Sequence, residues 1–183
     1  MKRITFIVNP VSGGKEKNNV LAAIGRYLDL SQFSYEVLQT GQAGDATRWA
    51  RESDADIVVA IGGDGTVSEV ATGLLGTEKA LGILPCGSGD GLALHLGISR
   101  NPAKAVKVLN DACIATIDAA QVNGRPFFCT AGVGLDADVS LDFAQQSPCL
   151  IIGIPIVFPV ILSIAKDLIA YQRTSINVLH HTA

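Results

Sequence analysis

The chain has 183 residues, enough for one complete domain or for one domain and the start of a second. Apolar residues make up 48% of it and charged residues 17%, so a buried core is readily built, whereas a net charge of −3 without a basic run gives no indication of a nucleic-acid partner. The four cysteines lack the paired spacing of a zinc site and indicate small apolar residues in a reducing, cytoplasmic setting.

Short apolar runs alternate with segments of helical periodicity over the first 110 residues. Strands are predicted at 3–8, 34–39, 56–61 and 81–84, and helices at 18–28, 45–51, 67–75, 90–96 and 102–110. This alternation predicts an α/β fold, a parallel sheet flanked by helices, in which the carboxyl ends of the strands lie along one edge.

The pattern changes after about residue 113. Two further strands, 115–122 and 125–131, are separated by Asn123-Gly124, a strong signal for a β-hairpin. We therefore predict an α/β domain over 1–112 and an incomplete β-rich second domain over 113–183 with an atypical apolar tail.

That tail contains no charged residue from 143 to 165, and residues 150–164 are almost wholly apolar. A membrane-spanning helix needs about 20 such residues. Gly153, Pro155 and Pro159 make the segment a poor helix, so a spanning helix is the less favoured interpretation.

Three glycine-rich turns, at 9–14, 62–66 and 85–91, each follow a predicted strand and should therefore meet at one edge of the sheet. In Gly62-Gly63-Asp64-Gly65-Thr66, backbone N–H groups and a helix N-terminus suit a phosphate. The carboxylate of Asp64 fits this role if Mg²⁺ lies between it and the phosphates. The alternative is a tight turn in which Asp64 caps the helix.

The other two turns are weaker signals on their own. The segment from Asn9 to Lys15 lacks the spacing of a Walker A loop, and a structural turn is its favoured interpretation. In the turn at 85–91, Ser88 offers a hydroxyl and Asp90 is a reasonable helix N-cap. His95 fits a packed surface histidine better than a catalytic base.

Together the turns resemble the diacylglycerol kinase catalytic family, which includes sphingosine kinases and bacterial lipid kinases. The matching residues are Asn9-Pro10-x-Ser12-Gly13, Thr40 with Gly44-Asp45-Ala46, Gly62-Gly63-Asp64-Gly65-Thr66-x-x-Glu69-Val70, Gly82-x-Leu84-Pro85-x-Gly87-Ser88, and Gly132-x-Gly134-x-Asp136-Ala137. The GGDGT turn also occurs in NAD kinases, and a related turn in phosphofructokinases, but the NPxSG and LPxGS segments favour the lipid kinases.

The resemblance implies a nucleotide-binding α/β domain, like that of NAD and diacylglycerol kinases, followed by a β-sandwich. It implies transfer of the γ-phosphoryl group of ATP to a lipid alcohol, diacylglycerol or a sphingoid base, at a membrane surface, and it is compatible with a homodimer. Asp64 would act through ATP-bound Mg²⁺. The residues placed at the nucleotide are Asn9, Pro10, Val11, Ser12, Gly13, Thr40, Gly62, Gly63, Asp64, Gly65, Thr66, Val67, Ser68, Glu69, Gly87 and Ser88.

The sequence departs from the family pattern in several places. Ser68 and Asp90 stand where Asn is common, and Leu94 where Arg is common. The family's general base, in an Asp-Gly-Glu turn, and the last stretch that returns to the first domain would lie beyond residue 183. The tail is interpreted as a truncated or frame-shifted product, a divergent membrane-contacting segment, or part of a longer protein. We expect little turnover from the 183 residues alone; the alternatives are a non-enzymatic ATP-binding remnant and an NAD-kinase-like enzyme.

Overall fold

The computed structural model describes residues 1–10, 16–111, 113–122, 124–128 and 174–180. The strands are β1 (Lys2–Val8), β2 (Phe33–Gln39), β3 (Ile57–Gly62), β4 (Ala80–Pro85), β5 (Cys113–Val122), β6 (Arg125–Phe127) and β7 (Thr174–His180). The helices are α1 (Glu16–Tyr27), α2 (Asp45–Glu52), α3 (Asp64–Leu74), α4 (Gly91–His95) and α5 (Pro102–Asp111). All nine elements predicted before residue 112 are present.

The described strands form one sheet in the order β2-β1-β3-β4-β7-β5-β6. β1 to β4 are parallel, and their ends are in register, with Val8 opposite Ile61 and Gly62 opposite Pro85. Every residue of β3 and β4 is buried, as expected of central strands covered on both faces. The carboxyl ends of these strands therefore form one continuous edge.

Helices cover the sheet in two pairs. α2 packs against α3, and α1 packs against α5. Right-handed crossovers place α1 on the face opposite α2 and α3, because β1 leads to the edge strand β2 and the chain then returns across β1 to β3. Side chains from α1 and α3, such as Ile24 and Val70, join the β-strand residues in one hydrophobic core. The predicted α/β class is confirmed.

The hairpin predicted at Asn123-Gly124 is also present. β5 and β6 pair in antiparallel fashion, with Val122 opposite Arg125. β6 ends at Phe127, and residues 129–131, predicted to extend it, lie outside the described part of the chain.

β7 was not predicted from the sequence. It pairs in parallel with β4, with Leu81 opposite Val178, and in antiparallel fashion with β5. Residues 174–180 thus connect β5 to the parallel sheet. The division into domains at residue 112 and the β-sandwich remain predictions.

Two predictions fall outside the described residues: the Gly132–Ala137 motif and the apolar run at 143–165. Among the helices that the structure describes, none is long and apolar enough to cross a membrane.

Candidate functional site

The three glycine-rich turns begin at the carboxyl edge of the sheet, and of the first of them the structure describes Asn9 and Pro10. Backbone hydrogen bonds connect their starting points: the N–H of Asn9 donates to Ile61 O (3.3 Å), and the N–H of Cys86 donates to Gly62 O (3.1 Å). The β2–α2 loop joins them through the N–H of Thr40, which donates to Val8 O (2.9 Å). Four loops therefore border one rim, as the alternation of elements predicts.

Two of these turns touch backbone to backbone. A Cβ atom placed on Gly87 would lie 2.5 Å from the Cα of Gly63, and one placed on Gly63 would lie 3.2 Å from the Cα of Gly87. Only glycine allows this approach at position 87. The close contact fixes the turn after β4 against the turn after β3.

Asp64 is the first residue of α3 and is exposed to solvent. The N-cap is Gly63 rather than Asp64, so the capping alternative is wrong. Instead Oδ1 of Asp64 accepts the N–H of Gly91 (2.7 Å). Oδ2 faces Gly89, where a Cβ atom would lie 2.6 Å from it. One carboxylate oxygen is thus held by a hydrogen bond, and the other lies so close to Gly89 that a side chain at position 89 would collide with it.

A cleft of about 190 Å³ lies at the rim between β1, β2 and α3. We call it the Thr40 cleft; it is lined by Asn9, Thr40, Gly41, Gln42, Ala43, Ala46, Thr66 and Glu69. Thr66 is 5% exposed, and its Oγ1 has no hydrogen-bond partner among the described residues. A buried hydroxyl without a partner indicates a ligand or water that completes its hydrogen bonding.

The loop that borders this cleft is shaped by two carboxylates. Oδ2 of Asp45 accepts the N–H groups of Gly41 (3.0 Å) and Gln42 (3.1 Å), and the bond from Gly41 is the main cause that lowers the pKa of Asp45. Glu69 accepts the N–H of Gly44 (3.2 Å), which has a φ of 87°. The loop conformation therefore depends on glycine at 44 and on the carboxylates at 45 and 69.

Asp90 occupies the N-cap position of α4, but its side chain makes no capping hydrogen bond. Its backbone is left-handed (φ 52°), which turns the carboxylate back into the preceding loop, where Oδ1 accepts the N–H of Gly87 (2.9 Å). Nε of Arg100 lies 3.2 Å from Oδ2, within ion-pair range but without an aligned hydrogen bond. Burial raises the pKa of Asp90, which is 3% exposed.

Arg100 also binds the loop directly. Its guanidinium donates to the carbonyl oxygens of Ser88 (2.9 Å) and Gly89 (2.7 Å). Sequence reasoning did not single out this residue, because it lies beyond α4 and only the fold brings it back to the loop. It holds the turn that carries Ser88 and Gly89 beside Asp64.

A second cleft, of about 330 Å³, opens on the other side of the α3 N-terminus. We call it the Asp64 cleft; it is lined by Asp64, Val67, Ser68, Gly89, Gly91, Leu92, Phe127 and Phe128. Aside from Asp64 and Ser68, its side chains are apolar. The two Phe residues come from the end of the hairpin and were not predicted as site residues, because nothing in a strand pattern shows which face it presents to α3.

Those predicted nucleotide residues that the structure describes fall into four groups. Asn9, Thr40, Thr66 and Glu69 line the Thr40 cleft, whereas Asp64, Val67 and Ser68 line the Asp64 cleft. Gly62, Gly63, Gly65 and Gly87 belong to the turns between them, and Pro10 and Ser88 are exposed at the rim without lining either cleft. Val11, Ser12 and Gly13 lie outside the described residues.

Sequence reasoning also missed Lys17, although a signal was available. Lys17 lies three residues before Val20 and seven before Ile24, on the apolar stripe of the first helix. The structure buries it, with 6% of the residue exposed. A charged residue at a core position of a helix is the pattern that would have identified it.

The described residues contain no group of three His, Cys, Asp or Glu side chains that could hold a metal ion by themselves. Mg²⁺ is usually held by one or two carboxylates together with substrate phosphates. The carboxylate of Asp64, which is exposed to solvent, fits such a shared ion.

Residues 3–122 match the family described as the diacylglycerol kinase catalytic domain, which is about two thirds of the chain. The chain belongs to this family. A diacylglycerol kinase of Bacillus subtilis strain 168 is 35% identical over 152 residues, which cover 80% of this chain and 50% of that protein. A protein of Klebsiella pneumoniae strain 342, named "Probable lipid kinase YegS-like", is 39% identical over 100 residues, covering 52% of this chain and 34% of that protein.

The fold agrees with that of a solved family member. A crystal structure of a diacylglycerol kinase from Bacillus anthracis strain Sterne matches with a TM-score of 0.60 and 30% identity, covering 69% of this chain and 48% of that one. The chain thus spans half or less of the length of these relatives.

Proposed function

We propose that this chain forms the nucleotide-binding part of a lipid kinase that transfers the γ-phosphoryl group of ATP to the hydroxyl of a lipid alcohol. ATP would bind at the rim of the sheet, with part of it in the Thr40 cleft and its phosphates toward Asp64. The lipid alcohol, a diacylglycerol or a sphingoid base, would approach through the Asp64 cleft.

The observation that carries this proposal is the position of α3 between the two clefts. Thr66 and Glu69, three residues apart, line the polar Thr40 cleft, while Val67 and Ser68 line the apolar Asp64 cleft. Asp64 lies at the helix N-terminus between them. A phosphoryl donor on one side and an acceptor on the other would meet at that terminus, where N–H groups and the helix dipole favour negative charge.

The Thr40 cleft suits one part of a nucleotide. Its volume of about 190 Å³ is below the roughly 300–1,000 Å³ of sites that enclose a whole ligand. The triphosphate would therefore extend along the rim toward the turns after β3 and β4. Phosphoryl transfer depends chiefly on positioning and charge neutralisation, which backbone N–H groups and a shared Mg²⁺ at Asp64 would supply.

The lining of the Asp64 cleft favours a lipid acceptor over NAD. Phe127, Phe128 and Leu92 offer an apolar surface to an acyl or alkyl chain. The 2′-hydroxyl of NAD, by contrast, is carried on a charged dinucleotide that would gain little from these side chains. A lipid acceptor in turn places the reaction at a membrane surface.

Isothermal titration with ATP, with and without Mg²⁺, tests the nucleotide site. The wild type should bind ATP more tightly with Mg²⁺. Asp64→Asn should bind ATP but lose the Mg²⁺ effect, because an amide oxygen keeps the hydrogen bond from Gly91 but carries no charge for the ion. Asp111→Asn, an exposed site at the end of α5, is the matched control and should behave as the wild type. An unchanged Mg²⁺ effect in Asp64→Asn would refute the proposed role of Asp64.

A second experiment identifies the acceptor. Mass spectrometry would follow ATP-dependent phosphorylation of diacylglycerol and sphingosine in mixed micelles, and of NAD in solution, with Phe127→Ala and Phe128→Ala as variants. The proposal expects a small amount of lipid phosphate as the product, in keeping with the little turnover expected of these 183 residues, and less of it from both variants. Phosphorylation of NAD alone would establish the NAD-kinase-like alternative, and ATP binding without any product would support the non-enzymatic remnant.

A further inference from the structure

Three buried side-chain polar atoms have no hydrogen-bond partner in the part of the chain that the structure describes: Lys17 Nζ, Thr66 Oγ1 and Asp90 Oδ2. All three lie at the carboxyl edge of the sheet, where a bound ligand or water would complete their hydrogen bonding. Thr66 lines the Thr40 cleft and Asp90 faces Arg100. Lys17 lines neither of the two clefts and has no oppositely charged side chain in ion-pair range among the described residues.

Lys17 lies in the first turn of α1, directly after the loop that leaves β1. Its ammonium group is close enough to Cys86 for the two to interact electrostatically. Cys86 in turn bonds through its N–H to Gly62 O, where β3 passes into the Asp64 turn. The ammonium group is therefore directed toward the rim between the ends of β3 and β4, beneath the glycine-rich turns.

A lysine in this position is costly without an anion. Burial removes water from the ammonium group and lowers the pKa of Lys17. The carboxylates at this rim have partners of their own: Asp64 has the N–H of Gly91, Asp90 has Arg100, Asp45 has Arg48, and Glu69 has the N–H of Gly44. Among the described residues, no carboxylate forms a hydrogen bond or ion pair with the Lys17 ammonium group, so a bound anion would offset its charge.

We infer that Lys17 is a phosphate-binding residue of the nucleotide site, whose ammonium group pairs with the polyphosphate oxygens of ATP. The inference rests on the proposed function and extends it, since no lysine of a Walker A loop is present in this sequence. The N-terminus of α1, a helix of 12 residues, adds its N–H groups and dipole at the same place. A cation on α1 and the N–H groups of α3 would then hold the phosphates from the two faces of the sheet.

The test compares Lys17→Met with Lys104→Met, which removes the same charge from an exposed position on α5. ATP, inorganic tripolyphosphate and adenosine are titrated into each protein. Lys17→Met should weaken ATP and tripolyphosphate binding roughly 10- to 100-fold, as expected for the loss of a charge-assisted hydrogen bond, and leave adenosine binding unchanged. Lys104→Met should bind all three ligands as the wild type does.

Thermal unfolding without ligand separates a ligand-binding lysine from a structural one. If the ammonium group awaits a phosphate, Lys17→Met should unfold at the same temperature as the wild type or higher, because methionine fills the site without a charge. A lower melting temperature, or a chain that fails to fold, shows that the ammonium group has a structural partner and overturns the inference.

A measurement on the unmutated chain completes the test. An acyl-phosphate derivative of ATP transfers its acyl group to a lysine beside the phosphates: the acyl–oxygen bond breaks, an amide forms at Nζ, and ATP leaves with release of a proton. Peptide mass spectrometry should find the acyl group on Lys17, and excess ATP should prevent its addition. Labelling that spares Lys17, or equal ATP affinities of wild type and Lys17→Met, overturns the inference but leaves the nucleotide site standing. Absence of ATP binding by the wild type overturns both.

Discussion

Asp90 and Asp29 show how two carboxylates of one fold respond oppositely to their surroundings. Asp90 is buried, and the loss of hydration raises its pKa despite the hydrogen bond from Gly87 and the charge of Arg100. Asp29 follows α1, where hydrogen bonds from the hydroxyl of Ser31 and the amide of Gln32 lower its pKa. Ionisation of Asp90 therefore lowers the stability of the folded protein, whereas ionisation of Asp29 raises it.

These directions predict opposite pH dependences for two Asp→Asn variants. Because the pKa of Asp90 is raised on folding, the wild type loses stability as pH rises from the ordinary aspartate pKa, about 3.9, through the raised value. Asp90→Asn avoids that loss, so its melting temperature should rise relative to that of the wild type as the pH increases from 4 to 7. The amide oxygen keeps the hydrogen bond from Gly87.

Asp29→Asn is the matched control with the opposite sign. The lowered pKa of Asp29 contributes stability above its ordinary pKa, which is lost as pH falls through the lowered value. The melting temperature of Asp29→Asn should therefore fall further below that of the wild type as the pH rises toward the ordinary aspartate pKa of about 4. Thermal melts across pH 3 to 7 measure both, and parallel curves for the two variants would contradict the assignment.

At this scale the sequence predicted Asp64 better than Asp90. The turn around Asp64 has a distinctive spacing and follows a clear strand, so its place at the rim follows from the fold class. Asp90 was predicted as an N-cap because Asp before a helix usually caps it. The left-handed backbone at Asp90, and the contact with Arg100 ten residues later, depend on tertiary packing and have no local signature.

Among the elements, the turns after β3 and β4 form the most closely packed junction of the site. Gly63 and Gly87 approach through their backbones, and Arg100 binds the carbonyl groups of the same turn. The position of Asp64 relative to Gly91 depends on this junction, because the hydrogen bond between them crosses it.

Gly87→Ala should therefore destabilise the protein and disturb the site. The new Cβ would meet the backbone of Gly63, which has no flexible end to move aside, so a cost of about 1–3 kcal/mol is expected, as for overpacked sites. Weaker ATP binding should accompany it. Chemical denaturation and ATP titration measure the two effects.

Gly25→Ala provides the contrast. Gly25 lies on the exposed side of α1 with nothing within 4 Å of an added Cβ atom. Alanine favours a helix interior over glycine by about 0.5–1 kcal/mol, so this variant should be more stable and bind ATP normally. Equal stabilities for the two glycine variants would show that the two turns do not touch in solution.

Strands and helices could be predicted where the apolar residues form a regular pattern, a continuous run in the buried strands or helical spacing in the half-buried helices. The starts of α1 and α3 lie two and three residues before the apolar periodicity that predicted them, because first turns at the rim carry polar residues. β7 escaped prediction for a different reason. Its sequence, TSINVLH, matches none of the family motifs, and only pairing with β4 and β5 defines it as a strand.

For the molecule as a whole, β7 determines how the hairpin and the parallel sheet of β1 to β4 are joined. β5 contacts the parallel sheet through β7, since β7 lies between β4 and β5 in the strand order. Ile176, Val178 and Leu179 are buried in the same hydrophobic core as the central strands. The chain segment at 174–180 is therefore expected to unfold together with residues 2–111 rather than separately.

Val178→Ala tests this cooperativity. Val178 is fully buried and lies opposite Leu81 of β4, so its truncation should cost about 1–3 kcal/mol, a large-to-small core substitution. The loss should appear equally by tryptophan fluorescence, which reports on Trp49 of α2, and by far-ultraviolet circular dichroism, because one cooperative unit has one transition. Ser175→Ala, at an exposed position of the same strand, should change stability by less than about 0.5 kcal/mol. If Val178→Ala leaves the Trp49 transition unchanged, β7 does not share the core of the parallel sheet, and the hairpin folds as a unit of its own.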